Sequence, residues 1–129
     1  MNDPISDLLT RIRNAYLARH KEVLVPASGL KRAVAQVLLK NGFVEKVEVE
    51  GKGASGNLKI GLRYIRGMPG ITKVIRQSKP GRRVYRRARR WPIVLAGEGL
   101  AIVSTSAGIM PAKEARKKGL GGELLATVW

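Results

Sequence analysis

Apolar residues open the chain at helical spacing. Ile5, Leu8, Leu9, Ile12 and Tyr16 share one face, and Asp7, Thr10, Arg11, Arg13 and Asn14 take the other. Asp3-Pro4 ahead of them pairs a capping carboxylate with a proline at the first helical position, which predicts a helix from 4 to about 19. Val23-Leu24-Val25-Pro26 reads as a short strand near a sheet edge, because its proline has no N–H to donate. Ser28 then caps a second helix with Leu30, Ala33, Val34, Val37 and Leu38 as its buried stripe. Lys31, Arg32 and Lys40 are left facing solvent or a partner, and Asn41-Gly42 ends the helix. From 43 to 64 the period drops to two. Val47 and Val49 alternate with Lys46, Glu48 and Glu50; Leu58, Ile60, Leu62 and Tyr64 alternate with Lys59, Gly61 and Arg63. Two strands joined as a hairpin follow.

Arg66-Gly67-Met68-Pro69-Gly70 interrupts both periods and is the candidate domain boundary. The pattern predicts an α/β (α+β) protein of two small domains: 1–66, arranged α-β-α-β-β, and 67–129, mainly β with one short helix. In the second domain, 71–78 and 82–87 read as strands around a Pro80-Gly81 turn, and 91–95 as a helical turn that buries Trp91. Leu100-Ala101-Ile102-Val103 is an apolar run suited to a strand covered on both faces. Ser104-Thr105-Ser106-Ala107-Gly108 follows it as a loop of small side chains with hydroxyls that donate or accept. Pro111 starts a short helix through Lys118, Gly119 stops it, and a last strand runs to Trp129.

Charge changes the picture from fold to function. Lys and Arg number 25 against 9 Asp and Glu, a formal net charge of +16 on 129 residues. A hydrophobic fraction of 44% supports a packed core, so the charge sits on a folded domain. Self-repulsion of that size calls for a polyanionic partner. Between Lys52 and Arg90 every charged side chain is basic, and Arg82, Arg83, Arg86, Arg87, Arg89 and Arg90 crowd together with Tyr85 and Trp91 interleaved. An ordinary solvated face mixes both signs; this one reads as a surface for phosphates. Tyr85 is either a core aromatic or an exposed ring that stacks on a ribose or base.

Chemistry beyond binding finds little support. Cysteine is absent, which excludes disulfides and thiolate metal sites and agrees with a cytoplasmic location. The N-terminus shows no signal-peptide pattern, and no apolar run approaches the roughly 18 residues of a membrane span. Gly51-Lys52-Gly53-Ala54-Ser55-Gly56 spells G-x-G-x-x-G, but a strand follows where dinucleotide binding requires a helix N-terminus. It is expected to be a hairpin loop, with Lys52 able to touch a phosphate. Ser104 and Ser106 as nucleophiles lack a base: the only histidine is His20, and neither serine begins an S-x-x-K motif or stands in G-x-S-x-G. No catalytic residues, metal or cofactor are expected. Glu123, after Gly121-Gly122, is either a solvated glutamate or one that accepts a base amino proton or orients a neighbouring donor.

Four blocks in order along the chain resemble the bacterial ribosomal protein S-eight family: Asp3-Pro4-Ile5-Ser6-Asp7-Leu8-Leu9-Thr10-Arg11-Ile12-Arg13-Asn14-Ala15, Pro80-Gly81-Arg82-Arg83-Val84-Tyr85, Ser104-Thr105-Ser106-Ala107-Gly108 and Gly119-Leu120-Gly121-Gly122-Glu123. The resemblance implies two tightly packed α/β domains and a structural, non-catalytic constituent of the ribosome. It implies primary binding to the central domain of small-subunit ribosomal RNA and a role in assembling the platform. It places Ser104, Thr105, Ser106 and Gly108 at the RNA with Tyr85 and Glu123 beside them, and Lys31 and Lys52 as phosphate contacts of the first domain; the basic run adds Arg82, Arg83 and Arg86 as phosphate contacts. The fifth and twelfth small-subunit proteins are implied neighbours, and the family's own messenger RNA a further partner. A generic DNA or membrane-surface binder is the rival the charge alone would allow. The chain departs from the family pattern at Ala107, where a basic residue is usual, and at Arg89 and Arg90, where an acidic pair is usual.

Overall fold

The computed structural model describes residues 3–51 and 56–129. They divide into two units, Pro4–Thr72 and Lys73–Trp129 with Asp3. The class is the expected α/β, with the helices concentrated in the N-terminal part and a mostly β C-terminal part.

In the first unit α1 (Pro4–Leu17) buries Ile5, Leu8, Leu9, Ile12, Ala15 and Tyr16, the stripe that its spacing predicts. It packs on α2 (Gly29–Lys40) and on β1 (Glu22–Pro26). Ser28 caps α2 by accepting the Lys31 N–H at 3.1 Å. Beyond its end, Phe43 N–H donates to Leu38 O at 2.9 Å, and Gly42 takes the left-handed turn. The buried face of α2 is rotated from the expected one. Lys31, Val34, Ala35, Val37 and Leu38 are inside, whereas Leu30 is 39% exposed. Strands β2 (Lys46–Glu50) and β3 (Asn57–Gly61) pair antiparallel as the predicted hairpin, with Val47 opposite Ile60 and Val49 opposite Leu58. The sheet order is β1-β3-β2, so β1 with its proline is an edge, as expected. β2 is an edge too, and Val49 lies exposed rather than half-buried. Residues 64–69 form a small hairpin, β4 (Tyr64–Ile65) with β5 (Met68–Pro69). Tyr16 ties it down by donating to Phe43 O at 2.6 Å and accepting the Arg63 N–H at 3.0 Å.

The second unit is built on β10 (Gly122–Val128). One edge of β10 pairs with β8 (Leu100–Thr105), which pairs in turn with β9 (Gly108–Pro111). Along its other edge lie β6 (Val74–Arg76) and then β7 (Tyr85–Arg86). Both are shorter than the strands expected over 71–78 and 82–87, because the chain between them turns away from β10 and only these stretches pair. β9 is a strand where the reading of the sequence had a loop running into a helix. α3 (Ala112–Lys117) follows it, and Ala112 and Ala115 pack with Trp91, Val103, Met110 and Leu124 over one face of the sheet. Trp91 is buried as expected and donates to Leu120 O at 2.9 Å. The expected helical turn at 91–95 is instead two 3-10 turns on either side of it, Ala88–Arg90 and Leu95–Gly97.

Candidate nucleic-acid interface

The hydroxyl-rich stretch is the tip of the β8–β9 hairpin. Thr105 pairs with Gly108, leaving Ser106 and Ala107 as a two-residue turn. Gly108 has φ +113°, a backbone that a side chain disfavours, so the glycine is there to close the turn. Thr105 braces it from within: its hydroxyl donates to Gly108 O at 2.9 Å and accepts the Ala107 N–H at 3.1 Å. Ser104 lies near the end of β8 and Ser106 in the turn itself, and their hydroxyls have no partner among the described residues. The three hydroxyls therefore divide into one that shapes the turn and two that remain available to a ligand.

Strand register extends the surface sideways. Glu123 on β10 is directly opposite Ser104 on β8 and Tyr85 on β7. Residues opposite one another on antiparallel strands share a face, so Tyr85, Glu123 and Ser104 form one row across three strands. Val103, Leu124 and Met110 take the opposite face, under Trp91 and α3. Tyr85 is 64% exposed, which decides between its two readings in favour of an accessible ring. The close approach at the row leaves no room at two positions before Glu123. A Cβ on Gly122 would run into the Ser104 carbonyl, and one on Gly121 would stand 2.8 Å from Arg86 O.

Glu123 is anchored by the protein. Its Oε2 accepts from the Ser78 hydroxyl and from Arg83 Nη1 at 3.1 Å, and its side chain is 18% exposed. Arg83 thus differs from Arg82 and Arg86, with which it was grouped. Arg82, Arg86, Arg87, Arg89 and Arg90 are exposed and take part in no ion pair among the described residues. Ser78 is the participant that composition and motif did not flag; its only local signal is its place just before Lys79-Pro80-Gly81.

In the first unit, Lys31 corrects the expectation that it faces solvent. The residue is buried, and its Nζ lies 2.9 Å from Asp7 Oδ2, so the ammonium is committed inside the protein. Its stem fills the stripe position that Leu30 was expected to fill, with the charge reaching out to a half-exposed carboxylate. Asp7 also pairs with Arg11 at 3.0 Å. Hydrogen bonds from Lys31 and then Arg11 hold the Asp7 carboxyl below its ordinary pKa of 3.8. Lys52 lies outside the described residues.

The surface so described combines free hydroxyls, an exposed aromatic ring, an anchored carboxylate and unpaired arginines. A family model described as Ribosomal protein S8 matches residues 3–129. The chain belongs to the ribosomal protein S8 family. Relatives named small ribosomal subunit protein uS8 align over the whole of this chain and 98% of their own length. That of Caldanaerobacter subterraneus subsp. tengcongensis is 55% identical, that of Thermoanaerobacter sp. (strain X514) 53% and that of Thermosynechococcus vestitus 52%. The four blocks that carried the resemblance all lie within the stretch matched to the S8 family.

Proposed function

We propose that this chain is a structural constituent of the small ribosomal subunit, located with the ribosome in the cytoplasm, and a primary binder of the central domain of small-subunit ribosomal RNA that helps assemble the platform. The reading assigns it no catalysis. The observation that carries it is the Tyr85–Glu123–Ser104 row ending at the Ser106 turn, with unpaired arginines alongside. An A-form helix hides its base edges in a deep, narrow major groove. Proteins therefore read RNA through 2′-hydroxyls, the shallow minor groove and irregular unstacked bases. Two small hydroxyls on a rigid strand end fit such a surface closely and serve either hydrogen-bonding polarity. The exposed ring of Tyr85 offers a stacking platform. Arg82, Arg86 and their neighbours supply affinity through phosphates, whereas the row supplies selectivity.

The test is a chemical footprint of the protein on small-subunit ribosomal RNA, with the affinities of variants measured beside it. Protection confined to one irregular helical element of the central domain is expected. Ser106→Ala should lower affinity for that element by about 1–3 kcal/mol and leave binding to a shuffled RNA nearly unchanged. Equal losses on both RNAs would remove Ser106 from base recognition, and diffuse protection would reduce the chain to a generic polyanion binder.

A further inference from the structure

Between β6 and β7 the chain makes a closed excursion from β10. It leaves where Gln77 N–H donates to Leu125 O at 3.0 Å and Ser78 N–H to Leu124 O at 3.1 Å. It turns at Pro80-Gly81, where Lys79 and Arg82 exchange backbone hydrogen bonds of 3.0 and 2.9 Å. It returns where Leu124 N–H donates to Val84 O at 2.9 Å. Ser78 stands at the neck of this loop, fully buried. Its hydroxyl accepts the Val84 N–H at 3.2 Å, across the neck, and donates to Glu123 Oε2, on β10. A serine hydroxyl has a single proton, and here that proton is committed to the carboxylate.

We propose that Ser78 is a positioning residue for RNA selectivity. Its bond to Val84 sets the register in which Arg83 and Tyr85 stand beside the hydroxyl turn. Its bond to Glu123, with that of Arg83, occupies Oε2 and leaves Oε1 without a partner among the described residues. A carboxylate beside RNA repels phosphate unless its charge is offset. Held by one hydroxyl and one guanidinium, it can remain there and accept from a donor of the RNA such as the exocyclic amino group of a base. Ser78 would thus act through Glu123 without touching the RNA. This inference rests on the proposed reading of the Tyr85–Glu123–Ser104 row.

The experiment uses the full chain, well below the melting temperature of each variant. Affinity is measured at fixed salt for a transcript of the ribosomal central domain and for a shuffled transcript of equal length. Ser78→Ala should cut the ratio of the two affinities roughly tenfold, leaving shuffled-RNA binding and the salt slope as in wild type. Ser78→Cys, which keeps a weak donor and acceptor, should lose less, and it carries the comparison should the alanine variant not fold. In a Glu123→Ala background, Ser78→Ala should cost less than it does in wild type, because only the bond to Val84 is then left to lose. A ratio unchanged in both Ser78 variants, an equal loss on both RNAs, or a loss that simply adds to that of Glu123→Ala would overturn the proposal. Ser106→Ala separates the two readings. If it loses the ratio while Ser78→Ala keeps it, only the role of Ser78 fails; if wild type itself shows no preference, the reading of the row fails and takes this inference with it.

Discussion

The two larger sheets among the described residues treat their charges differently. On the three-stranded sheet of the first unit, Lys59 lies 3.5 Å from Glu22 and 3.7 Å from Glu50, and Lys46 lies 2.6 Å from Glu48. On α1 and α2 of that unit, Asp7 gathers Arg11 and Lys31. Beside the five-stranded sheet of the second unit, Arg82, Arg86, Arg87, Arg89 and Arg90 stand exposed with no ion pair among the described residues. Exposed pairs add little to stability, so the pairing matters mainly for where the field is cancelled. The formal charge of +16 is therefore not a uniform coat. Over the strands of the first sheet basic side chains meet carboxylates, whereas along β7 and the 3-10 turn after it they stand open, next to the row formed by Tyr85, Glu123 and Ser104.

The sharpest way to break this contrast is to spoil the second sheet alone. Gly122→Ala sets a methyl against the Ser104 carbonyl, and neither backbone can yield without parting β8 from β10. A destabilisation of about 3 kcal/mol or more is expected, read by denaturant unfolding, with loss of selective RNA binding. Next in size is the charge itself. Replacing Arg82, Arg86 and Arg87 together by Ala should weaken binding to every RNA and flatten the plot of log affinity against log salt by roughly three units of slope. Lys46→Ala with Lys59→Ala, which removes paired charges, should leave that slope as it was; a comparable change would show that pairing does not decide which cations meet phosphate.

Smaller effects test the first unit as a scaffold. Tyr16→Phe strands the Phe43 carbonyl and the Arg63 N–H beneath the β4–β5 hairpin and should cost about 1–2 kcal/mol of stability. Burial pushes the Tyr16 phenol above its ordinary 10.0, so it is the neutral, hydrogen-bonding form that is lost. RNA selectivity measured at low temperature should not change. Asp7→Asn should have the smallest effect, about 1 kcal/mol at neutral pH, because the carboxylate is 42% exposed and its attraction to Lys31 is screened. Its pH dependence is the diagnostic part. A carboxyl whose pKa is depressed by folding contributes stability above its ordinary 3.8, and the contribution fades as pH falls through the folded value. Wild type and Asp7→Asn should therefore begin to converge in acid unfolding only as pH falls below about 4 and meet once it is under the folded value; a gap that stayed constant throughout the acid range would mean Asp7 acts by shape alone.

Several parts of the interface were legible residue by residue. The apolar run from Leu100 to Val103 predicted a covered strand, and the Ser-Thr-Ser-x-Gly sequence after it predicted an exposed, hydroxyl-bearing loop. The strand that follows, Gly108–Pro111, was not legible, since glycine at one end and proline at the other resemble a turn entering a helix. It forms because β8 offers a free edge on which Ile109 and Met110 align opposite Ser104 and Val103. Lys31 was assigned outward because charge predicts exposure. What brings it in is a carboxylate 24 positions earlier in the chain, beyond the reach of any helical period.

What this sequence determines by itself is set by neighbours within a turn or two of chain: where α1 begins, where α2 stops at Gly42, and that a basic, arginine-rich run precedes a hydroxyl-tipped strand. Those features follow from backbone preference and local periodicity, which act over a few residues. Tertiary structure decided which hydroxyl shapes the turn and which two stay free, that Tyr85 lies in line with Glu123 and Ser104, and that Ser78 holds Glu123 from 45 residues away. Such pairings depend on strand register and burial. A serine or a lysine carries no local mark of the partner that the fold will bring to it.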